Sequence, residues 1–261
     1  MQTEGPILNI AAPAFDSSGS GIPLACLHPI GLDHTCWKRL ALALNPGFRV
    51  IAFDLAGHGV AEARPKGMTL AQDAERVAET LERIDCGPVV TVGVSMGGMV
   101  AQELALARPD LVSHLVAGAC PPRISPENRE SLRARGRSAI ENGMAAVADG
   151  AIERWFTSGF RTDPAAQAAF AVLLGQDPVQ FARAWESISH FDLADSLHLI
   201  VQPTLCLAGG VDVATPREAM ERLAAGVQRG RLQIVENAPH MLHIETAEAF
   251  GEAVRAFLDA H

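Results

Sequence analysis

Val89-Val-Thr-Val-Gly-Val-Ser-Met-Gly-Gly98 joins a continuous apolar run to a helical one, and its reading decides the fold. Residues 89–94 have the composition of a strand buried on both faces. Residues 96–107 carry a helix pattern that stops at Arg108-Pro109, because a residue before proline avoids the helical region. Between the two lies a G-x-S-x-G turn, Gly93-Val-Ser-Met-Gly97. In a turn this sharp the residues two before and two after the serine nearly touch, so both have to be glycine. The serine backbone is strained and its Oγ is lifted clear of the strand ends. The N-terminus of the following helix points at the same spot. Glycine-rich strand–helix turns also serve plain packing, so the motif takes its meaning from partners elsewhere in the chain.

Outward from this turn, the chain alternates two patterns. Residues 23–27, 48–53, 89–94 and 115–119 are near-continuous apolar runs, as expected of buried parallel strands. Helix patterns lie between them. Thr69-Leu-Ala-Gln72 is a capping box opening the periodic run 70–84, which Gly87-Pro88 ends. This βαβα rhythm predicts a doubly wound sheet. It breaks from about 121 to 199, where Ser125-Pro126, Asp163-Pro164 and Asp177-Pro178 each set an N-cap residue before a first-turn proline. Three or four helices are expected there, with no strand. The segment holds most of the bulky aromatics, Trp155, Phe156, Phe160, Phe170, Phe181, Trp185 and Phe191, which reads as a lid over a site. The rhythm resumes with a strand at 204–208 and a capping box, Thr215-Pro-Arg-Glu218, opening a helix to about 225. A last strand at 231–235 and a closing helix, 247–258, capped by Thr246, complete the pattern.

Composition bounds the function. The chain has 261 residues, 48% hydrophobic and 20% charged, enough for one large domain and unlike disordered, collagenous or coiled-coil sequences. A net charge of −9 argues against a nucleic-acid partner, which needs a basic surface. No apolar run approaches the roughly 18 residues of a membrane span. Met1-Gln-Thr-Glu-Gly-Pro6 lacks the basic and apolar regions of a signal peptide. Five cysteines, an odd number without a CxxC pair, suit a reduced, cytoplasmic protein. Arginine far outnumbers lysine, which occurs only at Lys38 and Lys66, a bias of GC-rich bacterial genomes. The sequence leaves the oligomeric state open.

A serine hydroxyl needs a base within hydrogen-bond reach to act as a nucleophile. Where G-x-S-x-G follows a strand, the partners come in the order Ser, Asp or Glu, His, on loops after later strands. Asp212 ends Leu207-Ala-Gly-Gly-Val-Asp212, and His240 lies in Glu236-Asn-Ala-Pro-His-Met241. Competing residues read as structural. His243 lacks an H-E-x-x-H context for a metal, His58 sits in a Gly-His-Gly turn, and His28 stiffens its own loop. Asp54 precedes the serine and belongs to a turn, and Asp33 and Glu236 are weaker rivals to Asp212.

With Ser95, Asp212 and His240 in these positions, the chain resembles an α/β-hydrolase over essentially its whole length. Leu27-His-Pro-Ile-Gly31 and Asp54-Leu-Ala-Gly-His-Gly59 support the match. Within that superfamily it is most similar to the 3-oxoadipate enol-lactonase-like group, through His28-Pro-Ile-Gly-Leu-Asp33 with Trp37 and through Glu153-Arg-Trp-Phe-Thr-Ser-Gly-Phe160. The resemblance implies an α/β-hydrolase fold, core 1–120 and 200–261, with a helical cap, 121–199, inserted after the sixth strand of a mostly parallel, doubly wound sheet. It implies a Ser95–His240–Asp212 triad and an oxyanion hole from the N–H groups of Ile30 and Met96. Pro29 stands where the family usually has glycine, but the donor comes one residue later. The expected substrate is a small ester or lactone, with no cofactor, metal, nucleic acid or membrane partner. Trp155 and Phe156 are the candidate pocket aromatics. Arg154 and Arg161 either suit a free carboxylate such as an enol-lactone keeps or are ordinary solvated charges on a cap helix. Other readings on the same fold are a carboxylesterase, an acyl-homoserine lactonase, a small amidase, or a cofactor-free perhydrolase or haloperoxidase. A non-catalytic ligand receptor would typically have lost a triad member.

Overall fold

The apolar runs form a single sheet. The computed structural model describes residues 15–16 and 21–260. In chain order the elements are β1 (Phe15–Asp16), β2 (Ile22–Leu27), a 3₁₀ turn (His34–Trp37), α1 (Lys38–Leu44), β3 (Phe48–Phe53), α2 (Leu70–Ile84), β4 (Val89–Val94), α3 (Met96–Ala107) and β5 (Val112–Gly118). Four helices follow: α4 (Pro126–Asn142), α5 (Ala145–Trp155), α6 (Pro164–Leu174) and α7 (Pro178–Ser189). After a 3₁₀ turn (Leu197–Leu199), the chain closes with β6 (Pro203–Gly209), α8 (Arg217–Gly226), β7 (Arg229–Val235), α9 (Leu242–Glu245) and α10 (Ala247–Leu258).

The strand order is β1-β3-β2-β4-β5-β6-β7. Every pair is parallel except β1 with β3. The chain runs outward from β2 to β3 and then returns to place β4 on the other side of β2. The order therefore reverses between β2 and β4, where open α/β sheets bind ligands at the strand ends. In that register Leu27 of β2 lies opposite Gly93 of β4.

Alternate strand residues feed two cores. Ala25, Leu27, Ile51 and Phe53 pack with α2, α3, α8 and the four inserted helices, whereas Leu24, Cys26, Val50 and Ala52 pack with α1 and α10. This two-sided burial is why the strands read as apolar runs. All five cysteines are free. Among the described residues no helix is long and apolar enough to cross a membrane.

The helix signals act where the sequence places them, with three exceptions. Thr69 and Gln72 form the capping box of α2, and Asp163 and Asp177 accept from the first-turn N–H groups of α6 and α7. Ser125 holds the N-cap position of α4 without a side-chain bond. Thr215 does not cap α8. Its hydroxyl donates to the Ala119 carbonyl at 2.9 Å, tying the loop after β6 to the end of β5, and Pro216 takes the N-cap position. Thr246 precedes α10, but its hydroxyl donates back to Leu242 of α9 at 2.8 Å.

Among the described residues the insert follows the fifth strand, one fewer than the count expected from the sequence. It enters and leaves through a narrow neck. Arg123 bridges Asp192, the Ile124 N–H donates to Phe191 and the Leu193 N–H donates to Pro122.

The approach of α3 to β2 leaves no space for a side chain at Gly97, where a Cβ would strike the Leu27 carbonyl of β2. Backbone in a central strand cannot yield as a side chain can. Gly97→Ala should therefore cost about 1–3 kcal/mol, the usual range for overpacking. Urea unfolding measures it, and an unchanged midpoint would show that α3 can retreat.

Candidate active site

Ser95 has φ 55° and ψ −119°, a left-handed conformation uncommon outside glycine. Its N–H donates to Gly118 at 2.9 Å and its carbonyl accepts from Met99 at 3.1 Å, so the strand and the helix hold it on both sides. A Cβ on Gly93 would strike the Gly97 carbonyl, and one on Gly98 would strike Cys120. The glycines inferred from the sequence are thus steric necessities.

Asp212 and His240 lie on the loops after β6 and β7. Asp212 Oδ1 accepts from the N–H groups of Ala214 (2.7 Å) and Thr215 (3.0 Å). That pins the carboxylate and aims Oδ2 at His240 Nδ1, 3.0 Å away. With Nδ1–H donating, Nε2 is left as the acceptor. Both side chains are buried. The two loops touch through Gly209, where a Cβ would strike the Ala238 carbonyl, and through the Val211 N–H, which donates to Ala238 at 3.0 Å. The Met241 N–H donates to the Trp155 carbonyl at 3.1 Å, which fastens the His240 loop to α5.

A cavity of about 340 Å³ brings Ile30, Ser95 and His240 together with Arg135, Arg154 and Trp155. Met96 opens α3 beside Ser95, so its N–H has no intrahelical partner. Among the described residues no acceptor takes the N–H of Ile30 or of Met96. His28 fixes the Ile30 loop: its Nδ1–H donates to the Pro29 carbonyl at 2.8 Å, and its Nε2 accepts from the Leu55 N–H at 2.9 Å. Burial lowers the His28 pKa, consistent with a neutral ring bonded at both nitrogens.

The sequence profile of the Alpha/beta hydrolase family matches residues 24–253. The chain belongs to that family. It is 25% identical over 247 residues to (E)-2-((N-methylformamido)methylene)succinate hydrolase of Acinetobacter baylyi, covering 94% of this chain and 93% of the relative. It is 26% identical over 231 residues to 3-oxoadipate enol-lactonase 1 of the same organism, covering 88% of this chain and 85% of the relative. The solved enol-lactonase from Burkholderia xenovorans LB400 superposes with a TM-score of 0.84 at 28% identity, covering 92% of each chain. The family's relatives are thus hydrolases, enol-lactonases among them.

Of the expected pocket residues, Trp155 and Arg154 face the cavity and Phe156 does not. Phe156 is the C-cap of α5 with extended backbone, and its ring packs on Phe160 with centroids 5.6 Å apart. Arg161 also turns away, donating to the carbonyls of Phe156 and Glu153 at the end of α5. Arg135 of α4 enters the cavity instead, with its guanidinium 5.0 Å from the Trp185 ring centroid. Its signal was the face Ser131, Ala134, Arg135 and Ser138, with i, i+3, i+4 and i+7 spacing, hidden in an arginine-rich helix. Asp54 serves a turn, accepting from the N–H groups of His34 (2.7 Å) and Val60 (2.9 Å), and Asp33 accepts from Thr35. His58 is buried against His28, with ring centroids 4.9 Å apart.

His243 is fully buried on Trp37, with centroids 4.5 Å apart, and neither ring nitrogen has a partner among the described residues. Nor do they contain a cluster of three His, Cys, Asp or Glu side chains fit to hold a metal. Burial, reinforced by His240 and His28, pushes the His243 pKa down to about 3. The unfolded chain takes up this proton near pH 6.5 and the folded chain refuses it. His243 therefore withdraws stability as pH falls from 6.5 towards 3, by up to about 1.4 kcal/mol per pH unit. His243→Leu should remove that share, so the variant gains on the wild type as pH drops from 7 to 4.5. Denaturant titrations across that range test it, and parallel pH slopes would overturn it.

Proposed function

We propose that the chain is a serine hydrolase that cleaves a small ester or lactone carrying a free carboxylate, such as an enol-lactone of a dicarboxylic acid. The observation that carries this reading is the pair of guanidinium groups, Arg135 and Arg154, in the cavity shared by Ser95 and His240. Neither is in an ion pair among the described residues, although the charge of Glu153 acts on Arg154. Burial lowers the pKa of both, and the charge of Arg154 lowers that of Arg135 further. Two like charges facing one partly desolvated space repel, and an anion between them relieves the repulsion. Arginine offers a carboxylate two parallel N–H donors. The two Acinetobacter relatives are named for a succinate derivative and for 3-oxoadipate, which are acids of this kind.

The chemistry follows from the arrangement. Ser95 Oγ attacks the carbonyl carbon while His240 Nε2 takes its proton. Asp212 holds the ring by Nδ1 and stabilises the imidazolium. The N–H groups of Ile30 and Met96 receive the oxyanion. Collapse breaks the acyl–oxygen bond, and His240 returns the proton to the leaving oxygen. In a lactone that oxygen stays tethered to the acyl group. Water then enters, loses a proton to His240, attacks the acyl carbon and releases Ser95 and the acid.

Ser95→Ala should reduce kcat/KM at least about 10⁴-fold and abolish labelling by a fluorophosphonate probe. Wild-type turnover in that variant would sink the scheme. Arg154→Gln and Arg135→Gln should each raise KM for a carboxylate-bearing lactone about tenfold or more, as expected for a lost charge-assisted bond, and leave a neutral short-chain ester within about twofold. Equal effects on both substrates would refute the carboxylate assignment while leaving the Ser95 chemistry standing.

A further inference from the structure

Helix α7 shows different faces to the cavity and to the core. Phe181 and Trp185 line the cavity that holds Ser95. Gln180, Arg183 and Ser187, spaced i, i+3 and i+7, share another face and all meet Arg64. Gln180 Oε1 accepts from the Arg64 N–H at 2.6 Å. Arg183 Nη1 donates to the Arg64 carbonyl at 2.7 Å. Ser187 Oγ accepts from Arg64 Nη1 at 3.1 Å and donates to the Met68 carbonyl. The Arg64 side chain is fully buried, with Nη2 on the buried Asp73 of α2 and Nε donating to Ala56 at 3.3 Å.

An ion pair buried this deeply is a poor source of stability, since desolvation offsets most of its attraction. What it supplies is geometry: the guanidinium, bonded to Asp73, Ala56 and Ser187, fixes the Arg64 main chain, which in turn meets Gln180 and Arg183 of α7. We propose that Arg64 is a positioning residue, holding α7 at a set depth so that Phe181 and Trp185 close the cavity over Ser95. The inference rests on the proposed hydrolysis at Ser95. The opposite wall has its own tether: Trp155 is held by Met241, and the Thr157 N–H donates to Glu245 of α9 at 3.0 Å. Releasing Arg64 therefore moves one wall and leaves the Asp212–His240 pair in place.

The test removes both buried charges at once with Arg64→Met/Asp73→Leu, so that no lone charge is stranded. Should that pair fail to fold, Gln180→Ala/Arg183→Ala/Ser187→Ala removes all three α7 contacts to Arg64 and leaves the ion pair intact. In the folded variant, KM for the bulky aryl ester p-nitrophenyl benzoate should rise about fivefold or more. The kcat for the much smaller methyl acetate should stay within about twofold. Acrylamide quenching of tryptophan fluorescence should increase, because Trp185 is more exposed than Trp37 or Trp155. Unchanged KM and unchanged quenching in a folded variant would overturn the proposal, as would an equal loss of kcat on both esters. Because quenching needs no turnover, failure of the Ser95 chemistry and failure of the tether are read separately.

Discussion

At Ser95 the chain ends a central strand and begins a helix within one residue, and the backbone takes a positive φ to do so. A conformation of that kind costs an L-residue about 1–3 kcal/mol, and only over-determining surroundings sustain it. Here they are backbone: Gly93 lies against Gly97, and Gly97 against the Leu27 carbonyl of β2. The position of Ser95 Oγ is therefore a property of the sheet and not of a loop. The same register decides what lies beside it. Leu27 sits opposite Gly93, so the segment leaving β2 emerges next to the elbow, and Ile30 reaches the cavity that contains Ser95. The proposed oxyanion donors and the proposed nucleophile thus share one frame.

Charge works on a shorter scale. A net charge of −9 would repel an anionic substrate if it acted as a single field. At physiological salt, however, exposed charges farther off than about 8 Å are largely screened. Inside the cavity the nearby charges count most: Arg135 and Arg154, both partly buried, with Glu153 acting on Arg154. The acidic exterior favours solubility, and the pocket keeps its own sign.

What could be read from the sequence follows from where geometry is local. Gly93, Ser95 and Gly97 announce themselves because only glycine fits beside a serine in that turn. Asp212 and His240 are legible because each closes a short loop after an apolar run. The inserted helices are legible as helices, since Asp163-Pro164 and Asp177-Pro178 carry complete start signals. Their facing is not, because tertiary packing sets the rotation of each helix. Trp155 and Phe156 are neighbours in sequence, yet one lines the cavity and the other leaves it where α5 ends. Arg135 is hidden for the same reason among Arg129, Arg133 and Arg137. Thr215 fits a capping pattern, but its hydroxyl donates to the Ala119 carbonyl, 96 positions away, which no local signal reveals.

The proline at position 29 stiffens the loop that carries one proposed oxyanion donor. Proline removes an N–H and locks φ near −65°, so the loop loses both a donor and a degree of freedom. The lost donor lies one residue before the Ile30 N–H, so the proposed oxyanion pair survives. The lost freedom is reinforced by His28, whose two nitrogens bind the Pro29 carbonyl on one side and the Leu55 N–H, just beyond β3, on the other. Gly31, at φ 78°, completes the turn in a space where a Cβ would strike Leu173. A donor held this way is already placed before the carbonyl oxygen gains charge. Preorganised dipoles lower a barrier because they need no rearrangement as the charge develops. A proline and a doubly bonded histidine give the loop rigidity of that kind.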